Sequence, residues 1–430
     1  MRHISLISAA LAVSLAISSG LMLTGCQVTE NLKFTQQQKQ LKLNPQTKVA
    51  LSKLYQEKLQ NDTELQAALK QFKKSQKQGI TQLTDLAEQG NNQAQYELYR
   101  YYKKQGNKEQ QQKWLDSAAE NMNYLALKAK LQAAQKDNNP EEAAKYNLNL
   151  AIMDDLPAMY ATGYNYIYGN GLPVRMEDGL SWLEKLCSVD FTRYEASESD
   201  KKAATQAVLD GAILLCHVYS GEQFSDEYQN NMKNKHFSLI AAELGSMEHQ
   251  ILEAMRHSKS EILKEKDQAV YWYKKALEPK NKHTEHYGLA ASLYAHFLAD
   301  SLEIPNASQD LVKYANIAIK HERTEAYFPL GYHYFLQKNF TKAESCFTKV
   351  LPLDEDGNYH LSLGAMYLGL HDPKAIPVLY KAGQLGKARA FTLLSQAALD
   401  PRMGPINPDA ALKYQQEACR LDYKECSAKE

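Results

Sequence analysis

The sequence predicts an all-α protein built from repeated antiparallel helix pairs, and two observations lead to this prediction. Beyond about residue 47, apolar residues recur every three or four positions, and no clear apolar–polar alternation indicates a strand. Similar segments also recur along the chain, as in repeat proteins, where each unit buries its apolar face against its neighbours. A chain of 430 residues is long enough for an extended array of such units.

One motif recurs in the predicted first helix of the units. A threonine or leucine is followed directly by glycine or cysteine, and a tyrosine stands three positions later. Its copies are Thr162, Gly163 and Tyr166 after Ala158; Leu330, Gly331 and Tyr334 after Ala326; Leu363, Gly364 and Tyr367; and Leu215, Cys216 and Tyr219. A weaker copy is Ala94, Leu98 and Tyr102. Small residues at such positions let two helix backbones approach closely.

The predicted second helices share a small residue followed three positions later by an aromatic residue. The pairs are Gly179 and Trp182, Ala269 and Trp272, and Ala411 and Tyr414. The small residue permits close approach and the ring fills the space beside it, so these motifs indicate packing.

Together the two motifs resemble the Sel-one-like repeat, a relative of the tetratricopeptide repeat. The unit from Ala158 matches best, although Arg175 and Gly179 replace the usual Asp and Ala. The resemblance extends loosely from Ile80 to Cys426. It implies a right-handed α-solenoid of about eight or nine antiparallel helix pairs.

The segment "GNGLPV" from Gly169 could be a phosphate-binding loop or a turn between two helices. A phosphate loop requires a preceding strand and a following Lys-Ser/Thr or third glycine, which this segment lacks. We therefore expect Gly169 and Gly171 to adopt left-handed or tight turn conformations after the first helix.

The N-terminal residues form a predicted export signal, because Arg2 and His3 precede an apolar run from Ile4 to Leu23. The segment "LTGC" resembles the bacterial lipobox, which implies that residues 1–25 are a signal peptide and that Cys26 carries the lipid. Residues 26–46 are polar and predict a flexible tether, followed by the repeat body over residues 47–430. Gln27 in place of Asp implies the outer membrane. An uncleaved transmembrane helix is the alternative.

Five further cysteines follow Cys26. In an oxidising compartment, Cys187 and Cys216 are expected to form a disulfide across a predicted insertion. The segment from Cys419 to Cys426 resembles the helix-to-helix disulfide of cysteine-rich Sel-one-like proteins. That pairing requires a turn at residues 421–423, because one unbroken helix would hold the two cysteines too far apart. Cys346 is expected to be a buried small side chain.

Composition and motifs exclude several functions. Lys plus Arg and Asp plus Glu both number 50, a balance that does not favour nucleic acid as a partner. His283 and His286 lack a supporting ligand set, so no metal or cofactor is expected. No nucleophile elbow or nucleotide fingerprint is present, which predicts a protein that is not an enzyme. The basic stretch from Leu69 to Gly79 is expected to be a solvated helix face, with anionic lipid or cell-wall polymer as alternative partners.

Export, anchor and repeat architecture together predict a scaffold lipoprotein of the outer membrane, facing the periplasm. Its expected partners are other envelope proteins or peptides, or a glycan, in exopolysaccharide export or cell-wall machinery. The alternatives are a penicillin-interacting or β-lactamase-like protein and a surface-exposed host-interaction factor. The expected groove-lining residues are Tyr164, Tyr166, His217, Tyr219, His333 and Tyr334.

Overall fold

The computed structural model describes residues 50–191, 194–221, 224–260, 262–422 and 424. These residues form 21 α-helices and fall into two compact units. The N-terminal unit contains the described residues up to Ser246, and the C-terminal unit begins at Met247. The predicted signal peptide, the tether and Cys26 lie outside the described residues, so lipidation and the tether stay predictions.

The N-terminal unit contains eleven of these helices, and α2 to α11 pack as consecutive pairs. Their bounds are α1 Leu51–Asn61, α2 Thr63–Lys74, α3 Gln76–Glu88, α4 Asn92–Gln105, α5 Lys108–Glu120, α6 Tyr124–Lys136, α7 Pro140–Ile152, α8 Leu156–Tyr168, α9 Met176–Cys187, α10 Glu198–Ser220 and α11 Asn231–Glu243.

The C-terminal unit contains the other ten, again in consecutive pairs. Their bounds are α12 Met247–Ser258, α13 Leu263–Ala276, α14 Tyr287–Ala299, α15 Ala307–Lys320, α16 Tyr327–Leu336, α17 Phe340–Val350, α18 Asn358–Gly369, α19 Ala375–Gln384, α20 Ala388–Leu399 and α21 Pro408–Leu421. The prediction of an all-α fold of antiparallel pairs is confirmed. The described residues form ten pairs where about eight or nine were expected.

Close backbone contact joins the helices of a pair where the repeat motif has glycine. A Cβ atom on Gly163 would lie 2.7 Å from the Leu183 side chain and 3.0 Å from the carbonyl oxygen of Gly179. A Cβ on Gly179 would lie 2.8 Å from the carbonyl oxygen of Gly163. Helices α8 and α9 therefore touch through their backbones, which confirms the packing role predicted for the small residues.

Loops of nearly identical design connect α3 through α8. In each loop a residue with positive φ precedes an Asn or Asp whose side chain caps the next helix. The positive-φ residues are Gly90, Gly106, Met122, Asn138 and Asp154. The capping residues, at a constant spacing of 16 residues, are Asn91, Asn107, Asn123, Asn139 and Asp155. Each of these helices, together with one connecting loop, therefore occupies 16 residues.

The "GNGLPV" segment forms a turn between α8 and α9, as predicted. Gly169 ends α8 with φ 73° and ψ 26°, the left-handed conformation of a helix C-terminus. Gly171 also has positive φ, 75°, and a Cβ there would overlap the carbonyl group of Pro140 at the start of α7. Glycine is therefore required at position 171 for two reasons: the backbone has positive φ, and a Cβ atom would not fit beside Pro140.

Replacing Gly171 by alanine is expected to destabilise the protein by roughly 2 to 3 kcal/mol, through backbone strain and the overlap with Pro140. Gly90→Ala is the matched control, because Gly90 has φ 90° but no atom within 4 Å of the added Cβ. It should cost about 1 kcal/mol. Urea unfolding of both variants measures the difference, and equal losses would mean that the Pro140 contact is unimportant.

His296 in α14 is packed within the C-terminal unit. Its Nε2 lies 3.2 Å from the carbonyl oxygen of Glu325, and its ring stacks on Phe328 with centroids 6.0 Å apart. Burial lowers the pKa of His296 to about 4, although the Glu325 carbonyl acts in the opposite direction. The folded state therefore favours the neutral ring.

Because the pKa of His296 is lower in the folded state than the ordinary value of 6.5, its contribution to stability is complete above pH 6.5. It is lost as the pH falls towards 4. The loss should amount to roughly 2 to 3 kcal/mol. His296→Gln should have a correspondingly smaller decrease in unfolding free energy between pH 7 and pH 4, measured by urea titration. Identical pH profiles for variant and wild type would contradict the lowered pKa.

Candidate binding clefts

The clefts of the N-terminal unit that are large enough for a ligand or a peptide segment include one of about 660 Å³ between α1 and the start of α10 and two others that lie between helices further along the unit. The first of these two, of about 970 Å³, lies between α2 and α4 above α3, and we call it the basic cleft. The second, of about 650 Å³, lies between the α6–α7 loop, α7 and α8, and we call it the Tyr/Asn cleft. Their linings differ in charge and therefore in the ligands that they suit.

The basic cleft combines an apolar floor with a cationic rim. Leu59, Leu69 and Phe72 line it and are partly buried, and Phe72 contacts Tyr101 edge to face with ring centroids 5.8 Å apart. The side chains of Lys70, Lys73 and Lys104 are exposed along the same lining.

Arg100 also lines the basic cleft, but Glu97 neutralises it. Its Nη1 lies 2.7 and 3.0 Å from the two carboxylate oxygens of Glu97. The three lysines therefore leave the cleft with an excess of positive charge. The basic stretch at Leu69 to Gly79, predicted to be a solvated face, also supplies part of this apolar floor.

The Tyr/Asn cleft is lined without any charged side chain among its described residues. Six amide residues contribute to it: Gln135, Asn138, Asn139, Asn147, Asn165 and Asn170. The remainder of the lining is Ala134, Pro140, Ala143, Tyr160, Ala161 and Tyr164.

A row of aromatic rings extends from this cleft along α8. Tyr160, Tyr164 and Tyr168 stand four residues apart on one helix face. The ring centroids of Tyr160 and Tyr164 are 6.1 Å apart and those of Tyr164 and Tyr168 are 4.5 Å apart. Phe224 continues the row at 6.2 Å from Tyr168. Tyr164 is 37% exposed and Tyr168 is 49% exposed, so much of this aromatic surface is in contact with water.

Of the six residues expected to line a groove, the structure places Tyr164 in a described cleft. Tyr166, His217 and Tyr334 are partly buried. Tyr219 is 4% exposed, its hydroxyl donates to Glu184, and its ring stacks on Phe237. It therefore packs within the fold and lines neither the basic cleft nor the Tyr/Asn cleft, and its groove-lining role stays a prediction.

His333 is also buried, at 8% exposed, with its Nδ1 3.2 Å from the Ser308 hydroxyl. Burial lowers its pKa. It lines neither of these two clefts, and its groove-lining role also stays a prediction. In the repeat motif of the first helices, the tyrosine stands three positions after the glycine, on the helix face that packs against neighbouring helices. Tyr164 instead stands directly after Gly163, on a face exposed to solvent.

The structure has Cys187 and Cys216 as buried thiols, without the disulfide predicted between them. The Cys187 sulfur lies 3.8 Å from the carbonyl oxygen of Val208, and the Cys216 sulfur lies 3.6 Å from that of Asn234. The two sulfurs are thus directed at carbonyl groups on different helices. Burial, with Cys216 nearby, raises the pKa of the Cys187 thiol.

Cys346 is buried, as expected. Cys419 is disulfide-bonded, and α21 ends at Leu421, where the predicted pairing needs a turn. Its expected partner Cys426 lies outside the described residues, so that pairing stays a prediction.

Iodoacetamide should leave Cys187 unmodified in the folded protein, because burial disfavours its thiolate. After unfolding in guanidinium without reductant, both Cys187 and Cys216 should be alkylated, as seen by peptide mass spectrometry. Cys346 is the internal control for a buried thiol. If Cys187 and Cys216 react only after a reductant is added, the two cysteines form a disulfide and are not free thiols.

No group of three or more His, Cys, Asp or Glu side chains in the described residues could hold a metal ion. Within the same residues, no helix has both the length and the apolar character needed to span a bilayer.

Solved structures of Sel1-like repeat proteins resemble this chain over most of its length. One is a protective antigen of uropathogenic Escherichia coli with an SLR fold: 19% identity, TM-score 0.41, covering 79% of each chain. Another is a Sel1 repeat protein from Oxalobacter formigenes: 20% identity, TM-score 0.40, covering 75% of this chain and 90% of the other. No protein-family model and no curated protein matches the chain.

Proposed function

We propose that the protein is a lipid-anchored scaffold of the outer membrane that faces the periplasm and binds other envelope proteins, without catalysis. The basic cleft is the observation that carries this proposal. It is an open surface on packed helices that offers apolar contact and unneutralised charge, and such surfaces bind peptide segments. The machinery it serves is exopolysaccharide export or cell-wall assembly, according to the envelope location that the leader sequence predicts.

The lining of the basic cleft defines the chemistry of its partner. An amphipathic acidic segment would bury apolar side chains against Leu59, Leu69 and Phe72. Its carboxylates would meet Lys70, Lys73 and Lys104 at the rim. Rim charges of this kind mainly accelerate association and select the partner, while the apolar floor supplies most of the affinity.

The anchor restricts where this binding takes place. A lipid on Cys26 would hold the chain at the membrane without spanning it. The polar tether of residues 26–46 would allow the helical units to reach proteins near the membrane surface.

Charge reversal in the basic cleft should abolish partner capture. The variant Lys70→Glu, Lys73→Glu, Lys104→Glu places three like charges opposite an acidic partner, so recovery should fall about tenfold or more. Crosslinking in intact cells, affinity purification of the tagged lipoprotein and quantitative mass spectrometry measure this recovery.

Two controls accompany that experiment. Lys108→Glu, Lys320→Glu, Lys381→Glu makes the same charge change at exposed lysines outside the basic cleft, and should recover the partner as wild type does. Cys26→Ala should lose the anchor and with it the capture. If the two triple variants recover the same proteins equally, or if wild type recovers nothing above Cys26→Ala, the scaffold proposal is wrong.

A further inference from the structure

The Tyr/Asn cleft is built from side chains that the fold holds in place. Asn165 and Asn147 are 6% and 8% exposed, so their positions are set by packing. The side-chain Oδ1 of Asn139 accepts the backbone N–H of Glu142 at 3.1 Å, and the side-chain Nδ2 of Asn170 donates to Oδ1 of Asn165 at 3.3 Å. Because these amides are already held in place, ligand binding costs little side-chain conformational entropy.

No charge is available in this lining for an ionic ligand. Burial raises the pKa of Tyr160 in the lining and of Tyr168 beside it, so both hydroxyls are protonated at neutral pH. A carboxylate, phosphate or ammonium group entering the cleft would lose hydration without gaining an opposite charge from the lining. The cleft therefore selects an uncharged ligand.

The amides suit a ligand that is rich in hydroxyl groups. An Asn or Gln side chain offers a donor and an acceptor side by side, and the contacts at Asn139 and Asn165 use only part of that capacity. A hydroxyl group likewise donates and accepts, so neighbouring hydroxyls can pair with neighbouring amides.

The rings along α8 supply the complementary apolar surface. A pyranose ring has one face covered by C–H groups, and such a face lies flat on an exposed aromatic ring. Tyr164 and Tyr168 are both exposed and their centroids are only 4.5 Å apart, so they form one extended surface beside the amides. An extended peptide could hydrogen-bond to the amides but would not lie flat on the two tyrosine rings, because its side chains project from alternating faces and hold the backbone away from the rings.

We propose that the Tyr/Asn cleft binds an uncharged oligosaccharide. Sugar hydroxyls pair with Asn138, Asn147 and Asn165, and sugar rings stack on Tyr164 and Tyr168. This site is separate from the basic cleft, so the proposal does not depend on the scaffold function.

Isothermal titration of the purified full-length lipoprotein, in a detergent without a sugar headgroup, tests the proposal. The neutral probes are cellohexaose, chitohexaose and maltohexaose, and at least one should bind with a dissociation constant below about 1 mM. The double variant Tyr164→Ala, Tyr168→Ala should weaken that binding about tenfold or more, because it removes the stacking surface. Asn147→Leu, of similar size, should weaken it about fivefold by removing an amide partner.

Matched variants separate binding from folding. Tyr164→Phe, Tyr168→Phe retains the rings and should bind within about threefold of wild type. Tyr271→Ala, Tyr380→Ala removes tyrosines of similar exposure, 48% and 45%, from the C-terminal unit and should not change binding. Circular dichroism confirms that each variant is folded.

Three results would overturn the proposal. One is that none of the three neutral hexamers binds. Another is that binding is unchanged in Tyr164→Ala, Tyr168→Ala. The third is that only an oligogalacturonate hexamer or a Ser/Gly/Asn dodecapeptide binds, which would mean an acidic glycan or a peptide site.

Discussion

The contact between the two helix backbones of a pair is the constraint on which the rest of the structure depends. Gly163 and Gly179 each lie so close to the facing helix that a single Cβ atom would collide with it. A Cβ on Gly364 would lie 3.2 Å from the backbone nitrogen of Leu379, and one on Gly331 would lie 3.0 Å from the Phe347 ring. Helices this close bury backbone and short side chains between them, so larger residues beside the contact determine the neighbouring surfaces.

The loops that join these helices contribute to function as well as to folding. Asn139 caps α7, and Asn138 adopts the left-handed conformation just before it. Both also line the Tyr/Asn cleft. The caps that recur every 16 residues therefore also place amide groups in the Tyr/Asn cleft. The turn at Gly171 packs against Pro140, which lines the same cleft.

The two clefts differ in the charge of the residues that line them. The chain as a whole has no net charge, yet the basic cleft has an excess of lysine and the Tyr/Asn cleft has no charged lining residue. Net charge averages over surfaces that act separately, because a charge more than about 10 Å away is screened in physiological salt. A charged partner and an uncharged ligand can therefore bind to different clefts of the same helical unit.

By itself, the sequence determined the helical class, the pairing of helices and the turn at Gly169 and Gly171. All of these follow from local periodicity and from the conformational freedom of glycine. The 16-residue series of Asn and Asp caps was equally legible in the sequence, and the spacing of Asn91, Asn107 and Asn123 could have revealed it. Which tyrosines face water was decided only by tertiary packing. Tyr166 and Tyr219 occupy the same motif position, yet one is partly buried and the other is buried against Phe237 and Glu184. A helical pattern specifies the face on which a residue lies, but the neighbouring helix that covers that face is specified by contacts between residues distant in the chain.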